Sequence, residues 1–326
     1  MYSAEIIKIA QNTLAQRKEE NHSRYLHRLQ QAYEQVPRLR QIDLELRRTM
    51  TMAAQAVFAG KEGAQQAMEE AKQANLHLQQ ERKALEAQHF APGYLEEASV
   101  CDRCGGTGYL GSNMCRCLHT LCAAEQKKQL RRLCTGNEQF DNFRLDLYSD
   151  RVDRDLGVSP RAVMERTFQR CRKYATTFQK GAGNLLFNGG TGLGKTYLSA
   201  CIADVLTDKG YSVAYESAPQ LFAKLEKNRF DPNDQTRAEC AAINGCDLLI
   251  IDDLGTEMPG NFVTAALYAL LNERLLENKS MLISTNLNAD ELAQRYSGQI
   301  ASRLLGNFTV LTFIGEDIRV LKNRGI

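Results

Sequence analysis

The octet Gly189-Gly190-Thr191-Gly192-Leu193-Gly194-Lys195-Thr196 satisfies G-x-x-x-x-G-K-[ST] in full, and it constrains this chain more than any other stretch. Before it stands "NLLF", an apolar run suited to a buried strand, and after it "YLSACIADVL", suited to a helix. Strand, glycine loop and helix in that order form a cradle for phosphate. Backbone N–H groups converge on the oxygens, and the helix adds the positive end of its dipole. Lys195 supplies a point charge for the β- and γ-phosphates, and the Thr196 hydroxyl is placed to ligate magnesium.

From Pro160 onward the pattern alternates helix and strand. "GNLLFNG", "YSVAYES", "DLLIIDD", "SMLISTN" and "VLTFIG" read as five short strands, the first four separated by helical stretches. That predicts a parallel sheet covered by helices. A phosphate loop needs an acidic partner, expected on the neighbouring strand. "DLLIIDDLG" provides it: Leu248 to Ile251 run into Asp252, placed to hold magnesium through water, and Asp253, placed to orient or deprotonate an attacking water. "MLISTN" would deliver Asn286 beside the γ-phosphate from a third strand.

The first 90 residues differ, being rich in Gln, Glu, Lys, Arg and Ala. Tyr25, Leu29, Tyr33 and Val36, then Leu39, Ile42, Leu46 and Met50, recur at helical spacing; Pro37 fits the first turn of a new helix, and Gly60 and Gly63 mark the next break. Ala67, Ala71, Ala74, Leu78 and Leu85 follow as a thin stripe. Two or three amphipathic helices in a hairpin or small bundle are expected, either as a solvated spacer or as a partner-binding module. "AAEQKKQLRRL" reads as a short basic helix and "EQFDNFRLDLYSD" as an extended connector.

Ten cysteines are present, none before Cys101. Cys101-x2-Cys104 and Cys115-x-Cys117 make two close pairs around a glycine-rich turn, which suits a structural Zn²⁺ held by four thiolates. His119 and Cys122 are lesser candidates, and a redox-active thiol cluster is the other reading of this spacing. Cys134, Cys171, Cys201, Cys240 and Cys246 are scattered and read as small buried side chains. No apolar run approaches the roughly 20 residues of a membrane span, and the opening residues lack the zones of a signal peptide. A cytoplasmic protein without membrane contact is expected. The net charge of +2 gives no overall signature of nucleic-acid binding, which local patches decide.

From about residue 138 the chain resembles the DnaC/DnaI family of bacterial helicase loaders, which are AAA+ ATPases. The resemblance rests on "FDNF", "NLLFNGGTGLGKTYLSACIA", "LLIIDDLGTE", "LYALLNERL", "LISTNL", "RY", "SRL" and "GEDIR". It implies an α/β P-loop AAA+ core with little or no C-terminal lid, preceded by the helical region and the zinc module. The expected divisions are 1–95 helical and partner-binding, 96–122 zinc module, 123–159 linker and 160–326 ATPase. Lys195 and Thr196 fall on Walker A, Asp252 and Asp253 on Walker B, Asn286 on sensor 1, Arg303 on the arginine finger and Arg319 on sensor 2. Phe140 and Phe143 fall where the adenine is expected, and core packing is the other reading. Asp253 stands where most AAA+ enzymes carry Glu, which these loaders share and which fits a slow switch.

The resemblance also implies ATP/ADP, Mg²⁺ and Zn²⁺ as cofactors. Its partners would be a DnaB-type replicative helicase, single-stranded DNA and, with ATP or helicase bound, further copies of the chain. DNA contact by Lys224, Lys227 and Arg229 in "FAKLEKNRF" competes with a solvated helix face. An IstB-type transposition ATPase acting on duplex DNA is the alternative, and the four-cysteine module behind a helical region argues against it. A non-catalytic adaptor is a more distant one.

Overall fold

A computed structural model describes residues 2–58, 64–133, 138–154 and 157–323. Cys134, Gly60, Gly63 and the side chains of Met50 and Ala67 lie outside the described residues. The chain forms two compact units, one of Asn12–Asn113 and one of Met1–Gln11 with Met114–Ile326.

In the first unit, helices α1 (Ala4–Gln35), α2 (Pro37–Phe58) and α3 (Ala64–His89) follow one another. Pro37 opens α2, where its missing N–H costs no helical bond. Ala32, Val36 and Leu39 form a small apolar cluster flanked by Tyr33, Leu85 and Phe90. The thin stripe is supplemented by charge pairing: Arg38 Nε donates to Glu81 Oε1 at 2.8 Å and Arg82 Nε to Asp43 Oδ1 at 2.8 Å. Tyr33 Oη donates to Asp43 Oδ2 at 2.6 Å. A short ladder of β1 (Tyr109–Leu110) and β2 (Asn113–Met114) follows.

After Met1–Gln11, the second unit continues with α4 (Arg116–Leu133), which is longer than the short basic helix expected and starts inside the cysteine segment. It packs on the helix after the phosphate loop, with Lys127 Nζ 3.0 Å from Asp204 and 2.7 Å from Asp208. The expected extended connector instead carries two 3-10 turns, Phe140–Asn142 and Leu145–Leu147.

Then come α5 (Pro160–Thr177), β3 (Asn184–Gly189), α6 (Lys195–Asp208), β4 (Val213–Ser217), α7 (Ala218–Phe230), α8 (Asp234–Gly245) and β5 (Leu248–Leu254). They are followed by α9 (Asn261–Leu276), β6 (Ser280–Thr285), α10 (Ala289–Arg295), α11 (Gly298–Asn307), β7 (Phe308–Phe313) and α12 (Ile318–Asn323). The five strands are parallel in the order β4-β5-β6-β3-β7. Leu248 to Ile251 and Met281 to Ile283 are buried because helices cover both faces. Cys171, Cys201, Cys240 and Cys246 are buried, as expected of small apolar side chains. Beyond β7 the described chain adds only α12, and no described helix is long and apolar enough to cross a membrane.

The sheet's far end is pinned by Arg274, which is 0% exposed. Its Nη1 donates to Ile243 O at 2.9 Å and Asn244 O at 3.1 Å, and its Nη2 to Cys246 O at 3.2 Å and Ser280 O at 2.7 Å. One guanidinium thus satisfies the carbonyls that end α8 and begin β6. Arg274→Ala leaves them unpaired in the core and should cost about 3 kcal/mol or more. Urea unfolding measures this; an unchanged midpoint would contradict it.

Candidate functional site

The phosphate loop leaves β3 at Gly189 and enters α6 at Lys195. Lys195 is buried, and its Nζ donates to the carbonyls of Gly189 at 2.8 Å and Gly190 at 2.7 Å. Burial pushes the ammonium's pKa down, while Asp253 and Asp252 pull it back up. Thr191 and Thr196 are exposed on the loop and first helical turn, whereas Leu193 is buried and its carbonyl accepts from Tyr148 Oη at 2.9 Å. Gly194 caps α6 against Phe143 and Tyr148.

Gly192 carries a structural demand visible only in three dimensions. Its φ is +71°, and a Cβ there would lie 1.9 Å from Asp317 Oδ1. Asp317 belongs to "GEDIR": Ile318 N donates to Gly192 O at 3.0 Å and Arg319 N to Asp317 Oδ1 at 2.8 Å. The segment after β7 therefore lies against the loop.

The acidic strand is not the neighbour of the loop strand. β6 stands between β3 and β5, a correction to the expected adjacency. Apolar periodicity identifies strands but carries no information on their spatial order. The intervening strand has a use. Ile251 pairs with Ile283 and Leu254 with Thr285, so Asp252 and Asp253 together oppose the single residue Ser284. In an unbroken strand two adjacent acids point to opposite faces. The bulge, with Asp253 at φ 55°, breaks that alternation. Asp tolerates this left-handed backbone better than most residues.

Ser284 serves both acids: its Oγ donates to Asp252 Oδ1 and accepts from Asp253 N at 2.8 Å. Asp252 is buried, and its Oδ2 accepts from Tyr215 Oη at 2.9 Å. Partial burial and the Asp252 charge push Asp253's pKa up, against Lys195 and Arg319. Asn286 is exposed, one residue beyond Thr285, which pairs with Asn188 of β3. Arg319 thus acts on the charges of both Lys195 and Asp253.

Arg303 is held elsewhere in its own chain. Nε donates to Asn272 Oδ1 at 2.7 Å, Nη2 to Tyr268 Oη at 2.8 Å and Nη1 to Gln299 O at 3.3 Å. Its guanidinium also stands 4.4 Å from the Tyr268 ring centre. Phe140 is buried edge-on to Phe168, and Phe143 stacks on Phe168 at 5.3 Å while facing Tyr197 at 5.5 Å. Lys224 pairs with Glu216, Lys227 is exposed, and Arg229 lies 5.9 Å and 5.7 Å from the ring centres of Phe230 and Phe262.

Tyr148, Tyr215, Ser284 and Asp317 escape a reading of the sequence. Their roles depend on strand register and on which loops meet, and no local pattern signals either.

In the cysteine segment, the sulfurs of Cys101, Cys104, Cys115 and Cys117 lie within 4.8 Å of one another. Four thiolates about 2.3 Å from a shared ion suit tetrahedral Zn²⁺. Gly108 N donates to Cys104 Sγ at 3.3 Å, the kind of amide contact that stabilises sulfur charge. His119 is engaged by Tyr2, with Nδ1 3.3 Å from Tyr2 Oη and the rings edge to face. Cys122 is fully buried, and burial pushes its thiol's pKa up to about 11. The cluster therefore fits zinc with the four cysteines as ligands.

The family model described as IstB-like ATP binding protein matches residues 161–323, half of this chain. The replicative helicase loader DnaC of Buchnera aphidicola subsp. Baizongia pistaciae is 26% identical over 151 residues, covering 45% of this chain and 61% of the relative. The insertion sequence IS232 putative ATP-binding protein of Bacillus thuringiensis subsp. berliner is 28% identical over 142 residues, covering 42% and 56%. The chain thus spans less than two thirds of the length of these relatives. The crystal structure of the DnaC helicase loader superposes with a TM-score of 0.44 at 21% identity, over 54% of this chain and 98% of that one.

Two outcomes follow from the geometry. Gly192→Ala should lose nucleotide affinity roughly tenfold or more, through positive-φ strain and displacement of Asp317. Asp317→Ala in the same chain should recover part of the loss, and a double-mutant cycle without coupling would contradict the contact. Elemental analysis should find about one zinc per chain. Cys104→Ser should lose it while nucleotide binding persists, because Lys195 is supported by the sheet; a metal-free native protein with four alkylatable thiols would overturn the assignment.

Proposed function

The chain belongs to the IstB-like ATP-binding protein family, and on that premise we propose that it is an ATP-hydrolysing loader for a replicative helicase of the DnaB type, acting in the cytoplasm. The observation that carries this reading is the match, at 26% and 21% identity over 151 residues, to curated proteins named replicative helicase loader, beside a family match over residues 161–323 that holds the phosphate loop, the acid pair and "GEDIR". The helical and zinc parts would grip the helicase. The ATPase part would assemble with further copies of the chain and hold single-stranded DNA while the helicase ring is opened, and hydrolysis would then release the loader.

In this reading Lys195 neutralises the β- and γ-phosphates of ATP. Thr196 and Asp252 would hold Mg²⁺, which supplies charge neutralisation when bound. Asp253 positions the attacking water and accepts its proton. Its raised pKa makes it a better base than an ordinary carboxylate once ionised. Asn286 reads the γ-phosphate and Arg319 stabilises charge in its own site. Arg303 cannot lose its charge and offers a planar fork of donors, so it suits a finger for a neighbour's γ-phosphate. Its present partners, Tyr268 and Asn272, belong to α9 of its own chain, so the finger role requires Arg303 to exchange them for a neighbour's phosphate.

The second reading, a transposition ATPase on duplex DNA, is favoured by the likeness to the IS232 protein. A preference of the ATP-bound chain for duplex over single-stranded DNA, with no helicase co-purifying, would select it.

Lys195→Ala should abolish nucleotide binding. Asp253→Asn should bind ATP normally and hydrolyse it roughly a hundredfold more slowly, since only the water-activating group changes. Hydrolysis at the parent rate would reject that role. Arg303→Ala should bind ATP almost normally and hydrolyse poorly alone, yet partly recover when mixed with Lys195→Ala chains. Those chains still offer an intact finger to a neighbour whose loop works. The ATPase rate against mixing ratio, with helicase and single-stranded DNA present, reads this directly. No gain at any ratio, with assembly confirmed by light scattering, would place Arg303 outside the neighbour's site.

A further inference from the structure

A cavity of about 670 Å³ lies in the second unit, away from the phosphate loop. Its floor is Val213–Glu216 of β4, the edge strand of the sheet, and its walls come from Ser3 and the first turn of α1, from α4, and from α7 and α8. The size falls in the range of ligand sites.

Two independent features point to a ligand. The first is Gln126, 5% exposed on α4, whose Nε2 donates to the edge carbonyl of Val213. That bond fixes the amide so that Oε1 is the remaining acceptor, and this buried oxygen has no hydrogen-bond partner among the described residues. An unpaired buried acceptor costs about 1–3 kcal/mol unless something donates to it. The second is charge. Among the described residues, Glu5, Glu216 and Glu239 line the cavity against one cation, Lys224, which already pairs with Glu216. Among the described residues the lining is therefore net negative.

We propose that this cavity receives an extended basic segment of a partner protein, laid along β4, with a guanidinium or ammonium group donating to Gln126 Oε1 and facing Glu5 and Glu239. An edge strand favours an extended occupant, and a buried neutral acceptor flanked by carboxylates favours a multi-donor cation. The lining shares Tyr215 with the acid pair but no phosphate-loop residue, and the proposal does not depend on the nucleotide reading.

The test is fluorescence anisotropy of a labelled pentapeptide, Gly-Arg-Thr-Arg-Gly, titrated with the full-length protein. A peptide with glutamates in place of both arginines is the control. Saturable binding of the basic peptide alone is expected. The Glu5→Gln, Glu239→Gln double variant should weaken it roughly tenfold, equivalent to about 1.4 kcal/mol. Gln126→Leu, with both carboxylates kept, should weaken it several-fold. The carboxylate variants are surface changes, so their result stands even if Gln126→Leu disturbs α4. Absence of saturable binding, equal binding of the glutamate peptide, or an unchanged affinity in the double variant would each overturn the proposal.

Discussion

One hydroxyl holds the two acids of the candidate active site in relation to each other. Ser284 stands alone opposite Asp252 and Asp253, donating to the carboxylate of the first and accepting from the amide of the second. Its position follows from the pairing of β6 with β5, which sets Ser284 opposite both acids at the bulge. The left-handed backbone at Asp253 stores strain of order 1–3 kcal/mol, a cost that a rigid, buried strand pair can sustain. Tyr215 completes the arrangement from the other side through Asp252 Oδ2. The acid pair is thus built by three consecutive strands.

The opposite wall is built from the chain's end. Asp317 fills the space that Gly192 leaves open, and Arg319 follows it on α12, its charge reaching Lys195 and Asp253. Loop and terminal segment are joined by the bond from Ile318 N to Gly192 O. A change of charge at the loop mouth is therefore felt by the segment after β7 without any intermediary domain. That coupling suits a chain in which nucleotide state sets assembly.

Much of this was legible in the residues. The phosphate loop announces itself because its chemistry demands glycines and a lysine at fixed spacing, and the five strands because short β-branched and leucine-rich runs between turn residues suit buried strands. The thiol cluster was legible for the same reason: two close cysteine pairs can converge, and the structure brings Cys101, Cys104, Cys115 and Cys117 together. Strand order was not legible. Nothing in "DLLIIDD" or "SMLISTN" says which lies beside the loop strand, so Ser284 looked like an ordinary strand residue. The length of α4 was missed as well, since its hold on α6 comes through Lys127 and two aspartates that are distant in sequence. Arg303 presents the converse case: sequence resemblance suggested its role, while its contacts hold it from α11 against α9 of its own chain.

Under the proposed function, nucleotide on this chain governs delivery of a replicative helicase to single-stranded DNA. The most direct measurement follows a labelled helicase and a labelled single strand by energy transfer, with the chain present and ATP, a non-hydrolysable analogue or no nucleotide added. The account predicts transfer that requires the chain and ATP, and retention of the chain on the helicase when the analogue replaces ATP. Equal delivery without nucleotide, or capture of duplex in preference to the single strand, would contradict it.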